Sequence, residues 1–339
     1  MALLEVENLQ TTFRTDDGAI RAVDGVTFSV DRGQTLGIVG ESGSGKSVTC
    51  LTIMGLNDKR SAKSEGIARF DGADLLAMKA ETLRSLRGAR ISMIFQDPMT
   101  SLNPVKTIGW QLEEAVLVHS DVTRKEARGR AVDALGAVRI PRADQRVDDY
   151  PHQFSGGMRQ RVMIAMALIN EPDLVIADEP TTALDVTTQA QILELMNQLQ
   201  AERDMAIIMI THDLGVIAEV ADHVVVMYGG QVVEQAPVDE IFYRPQHPYT
   251  WGLLGSLPRL DVEVDRLEQI PGQPPSLLRP PSGCRFHPRC SFAMDICRTD
   301  VPELKSGGGI AHLQRCWLDG ATKERESARA VSRLQQAAS

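Results

Sequence analysis

The chain has 339 residues, 43% of them hydrophobic and 24% charged, enough for one large globular unit plus a smaller appendage. Its 36 Lys and Arg against 45 Asp and Glu leave a formal net charge of −9, which argues against a general nucleic-acid surface. No basic region precedes an apolar core in Met1–Glu7, so the N-terminus does not read as a signal peptide. The longest apolar runs, such as Val162–Ile169 and Val224–Tyr228, fall well short of the ~20 residues of a membrane helix. A cytosolic chain is expected, reaching any membrane only through partner subunits.

From Leu3 to Arg32, apolar and polar residues alternate between turns at Asp16-Asp17-Gly18 and Asp31-Arg32-Gly33, which predicts antiparallel strands. Thr35–Val39 is a short apolar run that ends in glycines and leads into a helical pattern, the order strand, loop, helix. Between Asn103 and Tyr150 charged residues surround Leu112, Val116, Ala127, Val132 and Leu135, which predicts a helical insertion. Leu174–Ala177 and Ala206–Ile210 are apolar on both faces and predict buried parallel strands. An α/β core with a helical insertion is the fold class expected. Past about Phe242, prolines crowd the chain from Pro245 through Pro258 to Pro281, so a domain boundary is expected there. The Ala- and Gln-rich tail 320–339 is expected to be disordered or a frayed helix.

Gly40-Glu41-Ser42-Gly43-Ser44-Gly45-Lys46-Ser47 fits G-x-x-x-x-G-K-S between a predicted strand and a predicted helix. Glycines let successive N–H groups face a phosphate, and the helix N-terminus adds partial positive charge. Lys46 is expected to reach the β- and γ-phosphates, and the Ser47 hydroxyl to ligate Mg²⁺. Asp178-Glu179-Pro180 closes the strand at 174–177, and the carboxyl ends of parallel strands face the ligand crevice. Two carboxylates there divide the work, Asp178 holding Mg²⁺ through its water shell and Glu179 acting as general base. Phe154-Ser155-Gly156-Gly157-Met158 opens another apolar helix, a second anion-binding N-terminus. One nucleotide does not need two such sites from one subunit, so this one is expected to serve a partner's nucleotide.

With these residues in order, the chain resembles the ATP-binding-cassette family, whose signature reads Leu-Ser-Gly-Gly-Gln. Phe154 and Met158 depart from it, while Ser155, Gly156 and Gly157, which the resemblance places on a γ-phosphate, are intact. The resemblance implies a P-loop NTPase cassette over residues 1–242, with a RecA-like core, an antiparallel β subdomain and a helical subdomain at about 100–165. ATP and Mg²⁺ are the implied cofactors. Gln96 resembles the glutamine that contacts Mg²⁺ and the attacking water and couples to the membrane subunit. His212 resembles the switch histidine at the γ-phosphate, Asp185 the aspartate linking the two sites of the dimer, and Phe13 either the aromatic that stacks on adenine or a core residue.

Phe95-Gln96-Asp97-Pro98-Met99-Thr100-Ser101-Leu102-Asn103-Pro104 and Arg244-Pro245-Gln246-His247-Pro248-Tyr249-Thr250 resemble segments of the dipeptide, oligopeptide and nickel importers. The region 243–319 resembles the C-terminal extension of the peptide importers, which in some carries a [4Fe-4S] cluster. Here Cys284, Cys290, Cys297 and Cys316 have five, six and eighteen intervening residues, matching neither ferredoxin runs nor a zinc knuckle. A [4Fe-4S] cluster, Zn²⁺ on the four thiolates or with His287 or His312 replacing one, and plain buried packing stay open; the cluster is preferred. The resemblance further implies a second related ATPase in a heterodimer, two membrane permease subunits and an extracytoplasmic substrate-binding protein. It also places the chain peripherally on the cytoplasmic face of the inner membrane. A nickel or glutathione-type importer, or a non-transport cassette ATPase, is the alternative.

Overall fold

The computed structural model describes residues 2–97, 101–181, 184–256, 270–306 and 311–335. Pro98, Met99 and Thr100 of the importer-like segment, and Pro258 of the proline run, lie outside these. The described chain divides into two compact units, one of residues 31–34 and 77–210, the other of 2–30, 35–76 and 211 onward. In chain order the strands are β1 (Ala2–Thr15), β2 (Gly18–Asp31), β3 (Thr35–Val39), β4 (Ala62–Phe70), β5 (Ala73–Asp74) and β6 (Ile91–Ile94). There follow β7 (Leu174–Asp178), β8 (Ala206–Thr211), β9 (His223–Tyr228), β10 (Gln231–Pro237), β11 (Lys305–Ser306) and β12 (Leu313–Gln314).

In the first unit β6, β7 and β8 form a parallel ladder, with Ile94 opposite Ala177 and Asp178 opposite Ile210. Every residue of β7 is buried, as a strand apolar on both faces requires. The expected helical insertion consists of helices Ile108–Leu117, Arg124–Ala137 and Ala143–Arg146. Their starts are written in the sequence. Thr107 caps the first through Trp110 N–H (3.2 Å), and Thr123 exchanges bonds with Glu126 in a reciprocal cap (2.8 and 3.3 Å). Buried Ile108, Leu112, Val116 and Ala127, Ala131, Leu135 recur every four residues, the spacing of one helix face.

In the second unit β2, β1, β4 and β5 make an antiparallel sheet in that order, the outcome their alternating patterns predict. There β3 runs parallel to β9, and β9, β10, β12 and β11 continue antiparallel. Because β12 pairs with β10 through Glu234 and Gln314, the chain beyond 242 packs within this same unit despite its change of composition. Two devices hold it. Tyr228, Tyr249 and Phe286 bury together, with ring centroids 4.6 to 5.4 Å apart, pairs worth about 1 kcal/mol each beyond area burial. Glu234, fully buried, accepts from the N–H groups of Gln246 (2.5 Å) and His247 (3.0 Å) and meets His312 Nε2 at 2.7 Å. A buried carboxylate is tolerable only when so surrounded.

The tail, where disorder or fraying was expected, is helical over Gly320–Gln335. Lys323, Ser327 and Val331 are buried at i, i+4 and i+8, a stripe whose short apolar content hides it from composition. Asp319 caps it through Thr322 N–H (2.9 Å).

His247, 1% exposed, caps the helix Pro248–Gly255 by accepting Tyr249 N–H on Nδ1 (3.1 Å). Burial above all, with the nearby charges of Lys323 and Arg315, pushes the imidazole from 6.5 down to about 3. The folded state therefore holds the ring neutral, while the unfolded chain protonates it once the pH falls below about 6.5. Between about 3 and 6.5 the unfolded state binds more protons, so this contribution is complete above 6.5 and is lost as pH falls. Unfolding free energies from denaturant titrations are expected to drop by about 1 kcal/mol per pH unit below 6, and less steeply in His247→Asn, which keeps an acceptor without a titrating ring. Identical slopes for the two proteins between pH 7 and 5 would sink this assignment.

Candidate nucleotide site and cysteine region

In the second unit the chain leaves β3 at Val39, turns through Gly40–Gly45 and enters the helix Lys46–Ile53. Two glycines make the turn obligatory. Gly40 has φ +151° and a Cβ there would stand 2.2 Å from the Met227 carbonyl oxygen; Gly45 has φ +101° and its Cβ would stand 2.4 Å from that of Ala22. Any side chain at either position drives backbone from backbone. Lys46 is buried, and its Nζ donates to the carbonyls of Gly40 (2.7 Å) and Glu41 (3.0 Å). The ammonium is thus held inside the curl of the loop. Ser44 Oγ is buried with no hydrogen-bond partner among the described residues, a group left for something the loop receives. Ser47 is half-buried in the first helical turn and Ser42 and Gly43 are exposed. An ammonium, a helix N-terminus and an unanswered hydroxyl suit a phosphate. Phe13 lies half-buried on β1, opposite Ala62 of β4.

In the first unit the parallel register does the assembling. Because Ile94 faces Ala177, Gln96 and Glu179, each two residues further on, emerge side by side, and Gln96 Nε2 donates to Glu179 Oε2 at 3.0 Å. Glu179 has φ +47°, a left-handed conformation that costs a non-glycine residue about 1 kcal/mol. Its N–H donates to Ile210 O (2.9 Å), which anchors that turn to β8. Asp178 is buried just before it. His212 directly follows β8 and is exposed; it belongs to the second unit. The amide donor fixes the orientation of the Glu179 carboxylate, and a carboxylate so held is a group suited to take a proton.

Ser155 caps the helix Gly156–Leu168 through Met158 N–H (3.4 Å). Ser155 and Gly156 are exposed, and a Cβ on Gly156 would meet nothing within 4 Å. Asp185 caps the helix Val186–Arg203, accepting Thr188 N–H (3.0 Å) and Oγ1–H (2.7 Å). Those bonds hold its carboxyl below the usual range. The two helix starts adjoin: a Cβ on Gly157 would press Thr188 Cγ2 at 2.9 Å. Ala183, beside this cap, lies outside the described residues.

The cysteine region is drawn together by backbone: Cys284 N–H donates to Cys297 O (2.9 Å), and His287 N–H to Cys284 O (3.0 Å). Burial first, then the neighbouring thiols, pushes Cys284 up to about 11 and Cys290 up to about 12, and Cys316 rises likewise. Yet among the described residues no group of three or more His, Cys, Asp or Glu is placed to hold a metal ion. Charge coupling reaches further than a coordinate bond, so the thiols are neighbours without being a closed ligand set, and the structure gives the expected [4Fe-4S] cluster no support. Zn²⁺ with a histidine fares no better. His312 is engaged with Glu234 (2.7 Å) and His287 Nδ1 with Cys284 O (2.9 Å).

Sequence reasoning missed Tyr249 and Arg289, both of which touch Glu41 of the loop. They stand 208 and 248 positions from it, and no local pattern marks such a pairing.

Similarity to known proteins gives the family. Residues 23–182 match the family model described as ABC transporter, and residues 233–297 that described as oligopeptide/dipeptide transporter, C-terminal region. A putative peptide import ATP-binding protein of Brucella abortus is 53% identical over 93% of this chain and 94% of its own length. A dipeptide transport ATP-binding protein of Bacillus subtilis is 52% identical over 95% and 96%, and an oligopeptide transport ATP-binding protein of Salmonella typhimurium 53% over 88% and 89%. Among solved structures, a dimeric ATP-binding cassette in a post-hydrolysis state bound to ADP and Pi superposes with a TM-score of 0.63. It is 28% identical and covers 69% of this chain and 98% of its own. No helix among the described residues is long and apolar enough to cross a membrane. The chain belongs to the ATP-binding proteins of the ABC transporter family, in the branch that carries the oligopeptide/dipeptide transporter C-terminal region.

Proposed function

We propose that this chain hydrolyses ATP to power uptake of dipeptides or oligopeptides through a membrane importer. The observation that carries the cargo class is the likeness to peptide transport ATP-binding proteins, which runs through cassette and extension alike. The division proposed is a cassette over 1–242, its helical subdomain at about 100–165, an extension over 243–319 and a tail over 320–339. Two permease subunits and an extracytoplasmic binding protein are the partners expected of such an importer, with a second related ATPase completing a heterodimer at the cytoplasmic face of the inner membrane. Loss of peptide-dependent growth in a Lys46→Ala strain, restored by the wild-type gene, would support peptide cargo; intact peptide uptake with lost nickel uptake would overturn it.

The residue roles proposed are those the family resemblance implies. Gly40–Gly45 present the loop backbone to the phosphates, and Lys46 exchanges the two carbonyls it now holds for phosphate oxygens. Phe13 stacks on adenine. Mg²⁺, when bound, neutralises phosphate charge; Ser47, Gln96 and, through water, Asp178 offer the hydroxyl, amide and carboxylate oxygens that such a hard cation takes. Glu179, held by Gln96 at 3.0 Å, accepts a proton from water as the water oxygen bonds to the γ-phosphorus and the bond to ADP breaks. His212 donates to the γ-phosphate. Ser155, Gly156 and Gly157 meet the nucleotide of the partner ATPase, and Asp185 links the two sites.

The four cysteines are proposed to bind a [4Fe-4S] cluster with a structural role. What supports this is the match of 233–297 to the oligopeptide/dipeptide transporter C-terminal region, with thiolates the donors such clusters take. Protein purified without oxygen should carry about four irons and four sulfides per chain on this reading, lost in Cys290→Ser. Stoichiometric zinc, or no metal, would refute it.

Glu179→Gln should leave ATP affinity within about threefold and lower turnover at least ~100-fold, the scale of a lost general base; robust steady-state hydrolysis would remove Glu179 from that role. Lys46→Ala should weaken ATP binding by roughly 10- to 100-fold, the loss of charge-assisted hydrogen bonds, and unchanged affinity would count against its place on the phosphates.

A further inference from the structure

The second residue of the phosphate loop is a glutamate, and a carboxylate beside a triphosphate is electrostatically adverse unless something answers it. Arg289 answers it from the extension. Its Nη1 donates to Glu41 Oε2 at 2.6 Å and its Nη2 to Glu41 Oε1 at 3.0 Å, a two-pronged pair with the arginine side chain 5% exposed. The remaining donors are all taken: Nε by Pro271 O (2.8 Å), Nη2 also by Ile270 O (3.1 Å), Nη1 also by Tyr228 Oη (3.4 Å). A guanidinium with every N–H assigned has one place to stand.

The backbone of Glu41 is gripped as well. Its N–H donates to Tyr249 Oη at 2.8 Å, and Tyr249 is fully buried. Its carbonyl accepts Lys46 Nζ (3.0 Å) and Ser44 N–H (3.2 Å). Contacts therefore run unbroken from Arg289 and Tyr249 through Glu41 to the two residues of the loop that carry its charge and its unanswered hydroxyl. Arg285, four residues earlier, reaches the Gly229 carbonyl and Asp24, and Gly230 N–H holds Ser44 O at 2.9 Å.

We infer that Arg289, assisted by Tyr249, is a positioning residue of the nucleotide site, setting the phosphate loop and cancelling the charge of Glu41 so that the extension forms part of the ATP-binding machinery. The inference rests on the reading of Gly40–Ser47 as the phosphate site. It requires two separable effects on removing Arg289, a loosened loop and an exposed carboxylate facing the incoming phosphates.

Equilibrium binding of a non-hydrolysable ATP analogue with Mg²⁺, together with steady-state hydrolysis, tests it on the full chain. Arg289→Ala should raise Kd and KM about tenfold, the scale of a lost charge-assisted pair, with kcat within about threefold, and the deficit should grow at low salt. Removing the orphaned charge as well, in Glu41→Gln/Arg289→Ala, should recover at least about half of the logarithmic loss, a rescue that a merely structural role of Arg289 would not produce. Tyr249→Phe, which deletes only the acceptor of the Glu41 N–H, should raise Kd roughly threefold and serves if Arg289→Ala does not fold. A Kd for Arg289→Ala, or failing that Tyr249→Phe, within the error of wild type overturns the inference, as does a double variant no tighter than Arg289→Ala. If Lys46→Ala loses binding while Arg289→Ala keeps it, only this inference falls; if wild type binds no analogue, the reading of the loop falls with it.

Discussion

A strand buried on both faces can carry polar chemistry only where it stops, and the rest of this structure follows from that restriction. The sheet ladder consumes the backbone groups of β3, β6 and β7, and their side chains are almost wholly apolar and hidden. At their carboxyl ends the ladder runs out, and the first residues beyond it are free to be glycines, carboxylates or amides. In the second unit that end becomes the loop from Gly40 to Ser47. In the first it becomes Asp178, Glu179 and Gln96, and the parallel register sets the latter two at one level. A one-residue slip of β6 against β7 would turn every side chain of the strand to the other face, so the Gln96–Glu179 contact is as secure as the core beneath it.

Where backbone alone does the binding, side chains become obstacles. Carbonyls of Met227 and Ala22 occupy the space that a Cβ on Gly40 or Gly45 would need, so the loop is shaped by neighbours from elsewhere in its unit as much as by its own residues. The same logic extends to the proline-rich chain beyond 242. With only short elements among its described residues before the final helix, it is secured by buried groups that each answer several partners: Glu234 for Gln246, His247 and His312, and the Tyr228, Tyr249 and Phe286 rings for one another. Segments of this kind hold through specific polar satisfaction more than through area, because an unanswered buried charge is far costlier than a lost apolar contact.

The cysteines show where sequence and structure part. Their clustering near the C-terminus was visible from counting, and the Cys284 N–H to Cys297 O bond draws two of them together. A closed ligand set is a matter of ångströms, which spacing does not convey, and among the described residues none is formed. The tail differs in the other direction. Its composition suggested disorder or a frayed helix, and three residues at fourfold spacing seat it as a helix.

By itself the sequence determined everything that depends on local order. Alternation located β1 and β2, continuous apolar runs located β3, β7 and β8, apolar positions among charged residues located the inserted helices, and glycine spacing located the phosphate loop with Lys46 and Ser47. These are legible because strand pleat, helix period and left-handed turns constrain residues a few positions apart. Only the tertiary structure decided that Gln96 would touch Glu179, that Gly157 would abut Thr188, and that Glu41 would be gripped by Tyr249 and Arg289. Such pairs span tens to hundreds of positions. They are set by register and by the packing of buried groups that must all be satisfied at once, and neither leaves a period in the chain.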